Sequence, residues 1–245
     1  MKHIFFFSFL LALVVPCVLS KPDSEGLPAG SQLLEDMRGQ LPREPIVING
    51  SLEVRKRKGV VTRTLNIEMR LDLGHSPAMA KYILRDALGK DLEQMTVIRS
   101  SAGSARFEYA AGNPLVPAKV PDLYKPFQDT DVSWMELTLS FLWWPGGKTL
   151  KAETLRGQSC FIVEVDAPPG ETGQYKKVRL WIDEKLHMVL QAEGYDAGGE
   201  LVRRLFMKSF KKIEDRWMVK DMDIQCFPSE HRTNLRVETM RVEKN

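Results

Sequence analysis

Alternation of apolar and polar residues is the dominant pattern of this chain. Between residues 62 and 74, every second position is apolar: Leu65, Ile67, Met69, Leu71 and Leu73. Successive side chains of a strand point to opposite faces of a sheet, so this period predicts a strand with one buried and one solvated face. Residues 46–59 alternate as well, and the basic run that ends at Gly59 predicts the tip of a hairpin.

The same pattern predicts strands through most of the remaining sequence. Residues 80–100 predict two strands joined at residues 88–91 rather than a helix, because the segment from Met95 to Ile98 is β-prone. Residues 105–112 predict another strand. Residues 113–131 contain four prolines and predict an extended surface loop without regular structure.

Beyond Pro145 the chain predicts antiparallel strands separated by turns rich in Gly, Pro and Asp. The predicted strands are residues 149–156, 159–167, 175–183, 188–196, 200–214, 217–227 and 234–243. A series of short strands with one apolar face predicts a meander that curls into a barrel or half-barrel. The fold class is therefore mainly β with a few helices.

Two helices are predicted. The first lies in residues 31–42, where Ser31 is the expected cap, Leu33, Leu34 and Met37 share one face, and Gly39 precedes the end. The second begins with a capping box, in which Ser133 and Glu136 satisfy each other's backbone amides. It is predicted to run from Trp134 to near Trp144, because Pro145 and two glycines follow.

The second helix is dense in large apolar side chains. They are Trp134, Leu137, Phe141, Leu142, Trp143 and Trp144. Each one left in water forgoes roughly 1.5–3 kcal/mol of burial, so the helix must pack on the apolar face of the sheet. Two interpretations are open: an ordinary core helix, or one wall of a hydrophobic ligand cavity. In the second case the sheet would supply the opposite wall with Leu65, Ile67, Met69, Leu71 and Leu180.

The amino terminus predicts export. Lys2 precedes an apolar run from Ile4 to Val15, which is typical of a secretory signal peptide and too short for a membrane span. Cleavage is expected after Ser20, which leaves residues 21–245 as a single periplasmic domain without a second apolar run of transmembrane length. A lipid anchor at Cys17 is the alternative, although Pro16 stands where lipoprotein signals carry a small residue.

The charge balance argues against nucleic-acid binding, and the two cysteines of the mature chain leave two possibilities open. The chain has 35 basic and 32 acidic residues, and removing the predicted signal peptide leaves a balance of +2, too even for a nucleic-acid binder. Cys160 and Cys226 are expected to form either one disulfide or two separately buried thiols.

Candidate catalytic and metal-binding chemistry is sparse. The sequence contains no G-x-S-x-G elbow, no H-E-x-x-H and no phosphate-binding glycine loop, so neither an enzyme nor a cofactor is expected. The pairs Asp129 and Asp131, and Asp221 and Asp223, are interpreted as solvated side chains rather than metal ligands. The three histidines of the mature chain are far apart in sequence.

Three stretches carry a family resemblance: DTDVSWMEL from Asp129, GQSCFIVEVDAP from Gly157, and the long run from Tyr175 to Ile224. They resemble the LolA-like outer-membrane lipoprotein-sorting proteins, especially the treponemal LolA-like subgroup. The resemblance implies an incomplete antiparallel β-barrel, the LolA/LolB-like half-barrel, covered by a helical lid. It also implies a periplasmic carrier or receptor that shelters acyl chains of lipoproteins or other lipids, since each exposed CH₂ costs about 0.8 kcal/mol.

A second function is open on the same fold. A non-transporting envelope interaction domain or stress sensor would bind an envelope protein by adding a strand to an open sheet edge. The identity of the cargo and the oligomeric state do not follow from the sequence.

Overall fold

The computed structural model describes residues 26–56, 59–100, 104–171, 173–213, 216–229 and 231–243. The predicted signal peptide, its cleavage after Ser20 and the alternative lipid anchor at Cys17 lie outside the described residues.

Thirteen strands in the described part of the chain form a single antiparallel sheet. They are β1 Ile46–Arg55, β2 Val61–Asp72, β3 Ala78–Arg85, β4 Asp91–Arg99, β5 Ala105–Ala111, β6 Val116–Ala118, β7 Lys148–Leu155, β8 Gln158–Asp166, β9 Lys177–Asp183, β10 Val189–Tyr195, β11 Leu201–Ile213, β12 Arg216–Cys226 and β13 Arg232–Val242. Their order across the sheet is β6-β5-β4-β3-β2-β1-β13-β12-β11-β10-β9-β8-β7. Because β6 and β7 are unpaired edges, the sheet is open. The predicted mainly β fold with an incomplete antiparallel sheet is confirmed.

The sheet consists of two meanders that meet at one central ladder. Strand β1 pairs with β13 from Ile46 opposite Val242 to Arg55 opposite Arg232. The register shifts at Gly50, and a Cβ atom there would lie 2.3 Å from the carbonyl oxygen of Arg236. Bulges of this kind bend strands and increase their twist, which favours the curvature of a half-barrel.

The alternating pattern produces one buried face, as predicted. In β2, Leu65, Ile67 and Met69 are buried while the residues between them are half-buried. The segment predicted as two strands forms β3 and β4, and the Asp86 carboxylate accepts hydrogen bonds from the Leu88 and Lys90 amides in the turn. Both predictions are confirmed.

The proline-rich segment differs from the predicted surface loop. Its end is buried, since Phe127 and Thr130 are 5% and 6% exposed. Residues 116–118 form the short strand β6, although no regular structure was expected between residues 113 and 131. Pro117 is tolerated because β6 is an edge strand, where one side of the backbone has no ladder partner.

The first helix, α1, spans Gly30–Gly39 and buries Leu33, Leu34 and Met37. Its N-cap is Ala29, which makes no side-chain cap bond, so the prediction that Ser31 caps the helix is wrong. The helix begins earlier because Gly30 packs on the turn before β7, where a Cβ atom would lie 2.6 Å from the Gly147 carbonyl carbon.

The second predicted helix is interrupted. The capping box is present as predicted, but α2 spans only Trp134–Leu137. Leu139 adopts a left-handed conformation with φ 49°, and a 3₁₀ helix follows from Ser140 to Trp143. The prediction of one continuous helix to Trp144 is therefore wrong. The break turns the chain so that its apolar residues reach both the core and the cavity described below.

None of the helices in the described ranges is long and apolar enough to cross a membrane.

Cys160 and Cys226 are both free and buried, so the two-thiol interpretation is correct and the disulfide alternative is wrong. Burial, chiefly, raises the pKa of Cys160 to about 11 and that of Cys226 to about 12.

We expect iodoacetamide at pH 8 to label neither thiol appreciably in the native protein and to label both within minutes in urea, because the thiolate is the nucleophile. Peptide mapping by mass spectrometry measures each site separately. Fast native labelling of either cysteine would contradict the burial described here.

Candidate functional site

A cavity of about 600 Å³ lies between the inner face of the sheet and the helical segments. Strands β1–β4 and β11–β13 form one side, from both halves of the sheet. The end of α1, residues 40–43, residues 137–139, Leu142 and Trp143 form the other side. This volume lies within the range of roughly 300–1,000 Å³ typical of small-molecule sites.

Methionine is the characteristic residue of the lining. Six of the 11 methionines of the chain contribute: Met37, Met69, Met188, Met207, Met218 and Met222. Most of the remaining lining is aliphatic or aromatic, and it includes Ala80, Tyr82 and Val97. A methionine side chain is unbranched and polarizable, so a methionine-lined wall adapts to ligands of different shape.

Five of the eleven side chains predicted for the wall line this cavity: Met69, Leu71, Leu137, Leu142 and Trp143. The structure places the other six in the hydrophobic core instead: Leu65, Ile67, Trp134, Phe141, Trp144 and Leu180. Trp134 illustrates the reason, since its ring packs against Phe127 with centroids 4.8 Å apart and is 1% exposed. Core residues and cavity-lining residues are therefore interspersed along the aromatic segment from Trp134 to Trp144.

The polar end of the cavity was not predicted from the sequence. Arg38, Ala78, Arg99 and Trp143 also line a second, more polar cavity of about 520 Å³, so these residues stand where the two cavities adjoin. The second cavity is lined further by Ser31, Glu35, His75 and Ser76, among others. Apolar and polar spaces therefore lie side by side across these shared residues.

Two arginines are fixed at this junction by different contacts. The Arg99 guanidinium lies over the Trp143 ring at 4.2 Å from its centroid, a cation–π geometry. Arg38 Nη1 donates a hydrogen bond of 3.0 Å to the Leu142 carbonyl oxygen, which joins α1 to the 3₁₀ helix. Burial, chiefly, and the positive charge of Arg38 hold the pKa of Arg99 below its usual value, whereas Tyr82 acts in the opposite direction.

A buried polar cluster holds α2 against the second meander. The Glu136 carboxylate accepts from the Ser133 amide at 2.5 Å, from the Ser133 hydroxyl and from the Tyr175 hydroxyl. Arg203 Nε on β11 lies 3.4 Å from Glu136 Oε1, and both side chains are nearly inaccessible. Burial, chiefly, and then Glu136 raise the pKa of Tyr175 well above its ordinary value, so the phenol stays protonated and donates. This cluster fixes the start of the segment that bounds the cavity.

Among the described residues, no group of three or more His, Cys, Asp or Glu side chains is arranged to hold a metal ion.

A comparison with models of protein families identifies the family of this chain. A family model with the description "Uncharacterized protein" matches residues 119–245, which is more than half of the sequence. The chain belongs to this family. The matched region begins before the capping box of α2 and continues through β7–β13, so it includes the aromatic segment and the methionines of β11 and β12. No curated protein sequence matches the chain.

Solved structures share the fold at low sequence identity. A DUF1329 family protein from Desulfovibrio piger has a TM-score of 0.73 at 17% identity, with 87% of this chain and 92% of that chain covered. A putative outer membrane lipoprotein-sorting protein domain from Vibrio parahaemolyticus has a TM-score of 0.73 at 15% identity, with 88% and 93% covered. A LolA superfamily protein from Nitrosomonas europaea has a TM-score of 0.68 at 13% identity, with 89% and 96% covered. The predicted LolA-like fold is confirmed.

Proposed function

We propose that the protein binds the acyl chains of lipids, including those of lipoproteins, in the methionine-lined cavity, as a periplasmic carrier or receptor rather than an enzyme. The observation that carries the proposal is an apolar space of about 600 Å³ that the side chains of the sheet and helices leave unfilled. A relative in fold is described as a putative lipoprotein-sorting protein domain, which supports the same substrate class. The periplasmic location rests on the predicted signal peptide.

We propose further that α1 and the segment from Trp134 to Trp143 act as the lid of this cavity. Both lie on the inner face of the sheet and bound the cavity on the side opposite the strands. The Arg38 hydrogen bond to the Leu142 carbonyl joins them directly. Neither Arg38 nor Leu142 belongs to a strand, so breaking this hydrogen bond would unpair no strand of the sheet.

The alternative, an interaction domain that accepts a strand at its edge, has weaker support. The two edges of the sheet are β6 and β7. Pro117 lies within β6, and exposed lysines, Lys148 and Lys151, lie on β7. Proline and lysine are residues that protect edge strands from pairing with another chain. The cavity is therefore the better-supported site.

Filling part of the cavity should weaken binding without unfolding the protein. Ala80 on β3 is 7% exposed and lines the cavity, so Ala80→Phe places a ring in the space proposed for the ligand. We expect the affinity for a fluorescent fatty-acid probe to fall by about tenfold or more, because an aromatic ring displaces much of the ligand's contact surface. Fluorescence titration measures the affinity, and circular dichroism reports folding.

Ala152→Phe is the matched control, because Ala152 is an exposed residue of β7 that lines neither cavity. It should bind the probe as the unmodified protein does. Unchanged binding in Ala80→Phe would show that the probe binds elsewhere. Absence of binding by the unmodified protein, together with no lipid recovered by native mass spectrometry, would overturn the proposed function.

A further inference from the structure

Every charged side chain among the described residues that line the methionine-lined cavity is basic. Its lining includes Arg38, Arg43 and Arg99, and none of the described residues that line it carries a carboxylate. The whole chain, in contrast, carries nearly equal numbers of acids and bases. The positive lining is therefore a local property of this site and does not reflect the overall charge.

Two of these arginines occupy the border between apolar and polar space. Arg38 and Arg99 line both the methionine-lined cavity and the adjoining polar cavity. An amphiphile whose chain lies among the methionines would have its polar group at this border. A neutral headgroup would gain little there, whereas an anionic one would meet two guanidinium groups.

One contact for each guanidinium group helps to hold it at this border. Arg99 stacks on Trp143, and Arg38 bonds a backbone carbonyl rather than a carboxylate. Glu35 lines the polar cavity but not the methionine-lined one, and Asp36 lies 3.8 Å from His187. The positive charge of Arg38 lowers the pKa of Arg99, so the two guanidinium groups are close enough to act on each other, and an anionic group at the border would interact favourably with both.

We infer that the cavity selects amphiphiles with an anionic headgroup, which Arg38 and Arg99 bind while the acyl chains lie among the methionines. This inference rests on the proposed function, since it assigns a headgroup class to the ligand of the same cavity. The shared chemistry is a phosphate or carboxylate attached to hydrocarbon. Phosphatidylglycerol, fatty acids and acylated acidic peptides all satisfy it.

The test compares lipids that have the same acyl chains and different headgroups, of which one is anionic. Isothermal titration of the full chain with dioctanoyl phosphatidylglycerol, dioctanoyl phosphatidylcholine and dioctanoylglycerol should show the anionic lipid binding about tenfold more tightly than the other two. Arg99→Gln should reduce the affinity for the anionic lipid to about that for the two neutral lipids, whereas Arg99→Lys should retain part of the preference. Inorganic phosphate, titrated alone, should bind far more weakly than the anionic lipid.

Arg106→Gln is the control, because Arg106 is an exposed residue of β5 paired with Glu108 and outside both cavities. It should retain the headgroup preference. Equal binding of all three lipids would overturn the inference and leave acyl-chain binding intact. Phosphate binding as tightly as the anionic lipid would also overturn it, because the site would then be an anion site without a lipid role. Failure of all three lipids to bind would remove the proposed function as well.

Discussion

Glu136→Ala is expected to destabilise the protein by about 3–5 kcal/mol, the cost of removing one partner of a buried ion pair. The Glu136 carboxylate is 2% exposed and accepts hydrogen bonds from Ser133 and Tyr175. Alanine would leave the buried Arg203 charge without its counter-ion and the Tyr175 hydroxyl without its acceptor. It would also remove half of the capping box that starts α2. The effect should therefore reach the segment that bounds the cavity.

Urea unfolding followed by tryptophan fluorescence measures the change in the free energy of unfolding. Glu108→Ala is the matched control, because the Arg106–Glu108 pair has side chains 68% and 51% exposed and should contribute less than about 1 kcal/mol. Tyr175→Phe keeps the charge pair and removes one hydrogen bond, so its loss should be about 1–2 kcal/mol. A loss for Glu136→Ala no larger than that of the control would show that the buried cluster does not stabilise the fold.

Gly50→Ala is expected to destabilise the protein by about 2–3 kcal/mol, in the upper part of the range for overpacked sites. The added methyl group would lie 2.3 Å from the Arg236 carbonyl oxygen and 3.1 Å from its carbonyl carbon. Both atoms belong to the backbone of β13, so no side-chain rotation relieves the clash. Strands β1 and β13 would have to separate at the ladder that joins the two halves of the sheet.

Gly39→Ala provides the comparison for Gly50→Ala. Gly39 is the last residue of α1, and a Cβ atom there meets nothing within 4 Å. Alanine is the better helix former, so this variant should be neutral or more stable by up to about 1 kcal/mol. Thermal unfolding of both variants under the same conditions measures the difference. Equal melting temperatures would mean that the β1–β13 ladder accommodates a side chain at Gly50 without loss.

The strands could be predicted because their periodicity is a local property of the sequence. Leu65, Ile67 and Met69 alternate with polar residues, and only a strand buries all three on one face. The capping box at Ser133 was predictable for the same reason, since both of its partners lie within four residues. The break at Leu139 was not, because it depends on where the chain must turn to meet the rest of the fold.

The position of the cavity could not be deduced from local pattern. Met207 and Met222 follow the same alternation as core residues, so the sequence shows that they point inward but not whether anything packs on them. Trp134 and Phe141 are larger and more apolar, yet these properties favour complete burial rather than exposure to an unfilled space. Which part of the inner face remains uncovered depends on the lengths and paths of the connecting segments. The arginines at the polar border were missed for the same reason, since Arg38 and Arg99 are 61 positions apart in the sequence.

The pairing of Ile46 with Val242 has a consequence for how the chain reaches its native state. Each half can assemble from neighbouring hairpins, but the ladder between them forms only after nearly the whole polypeptide is available, because its partners are so distant in sequence. Loss of the final strand would therefore divide the sheet at its centre and expose two long backbone edges, which are prone to pair with other molecules. Strand β13 is therefore the element that completes assembly of the sheet.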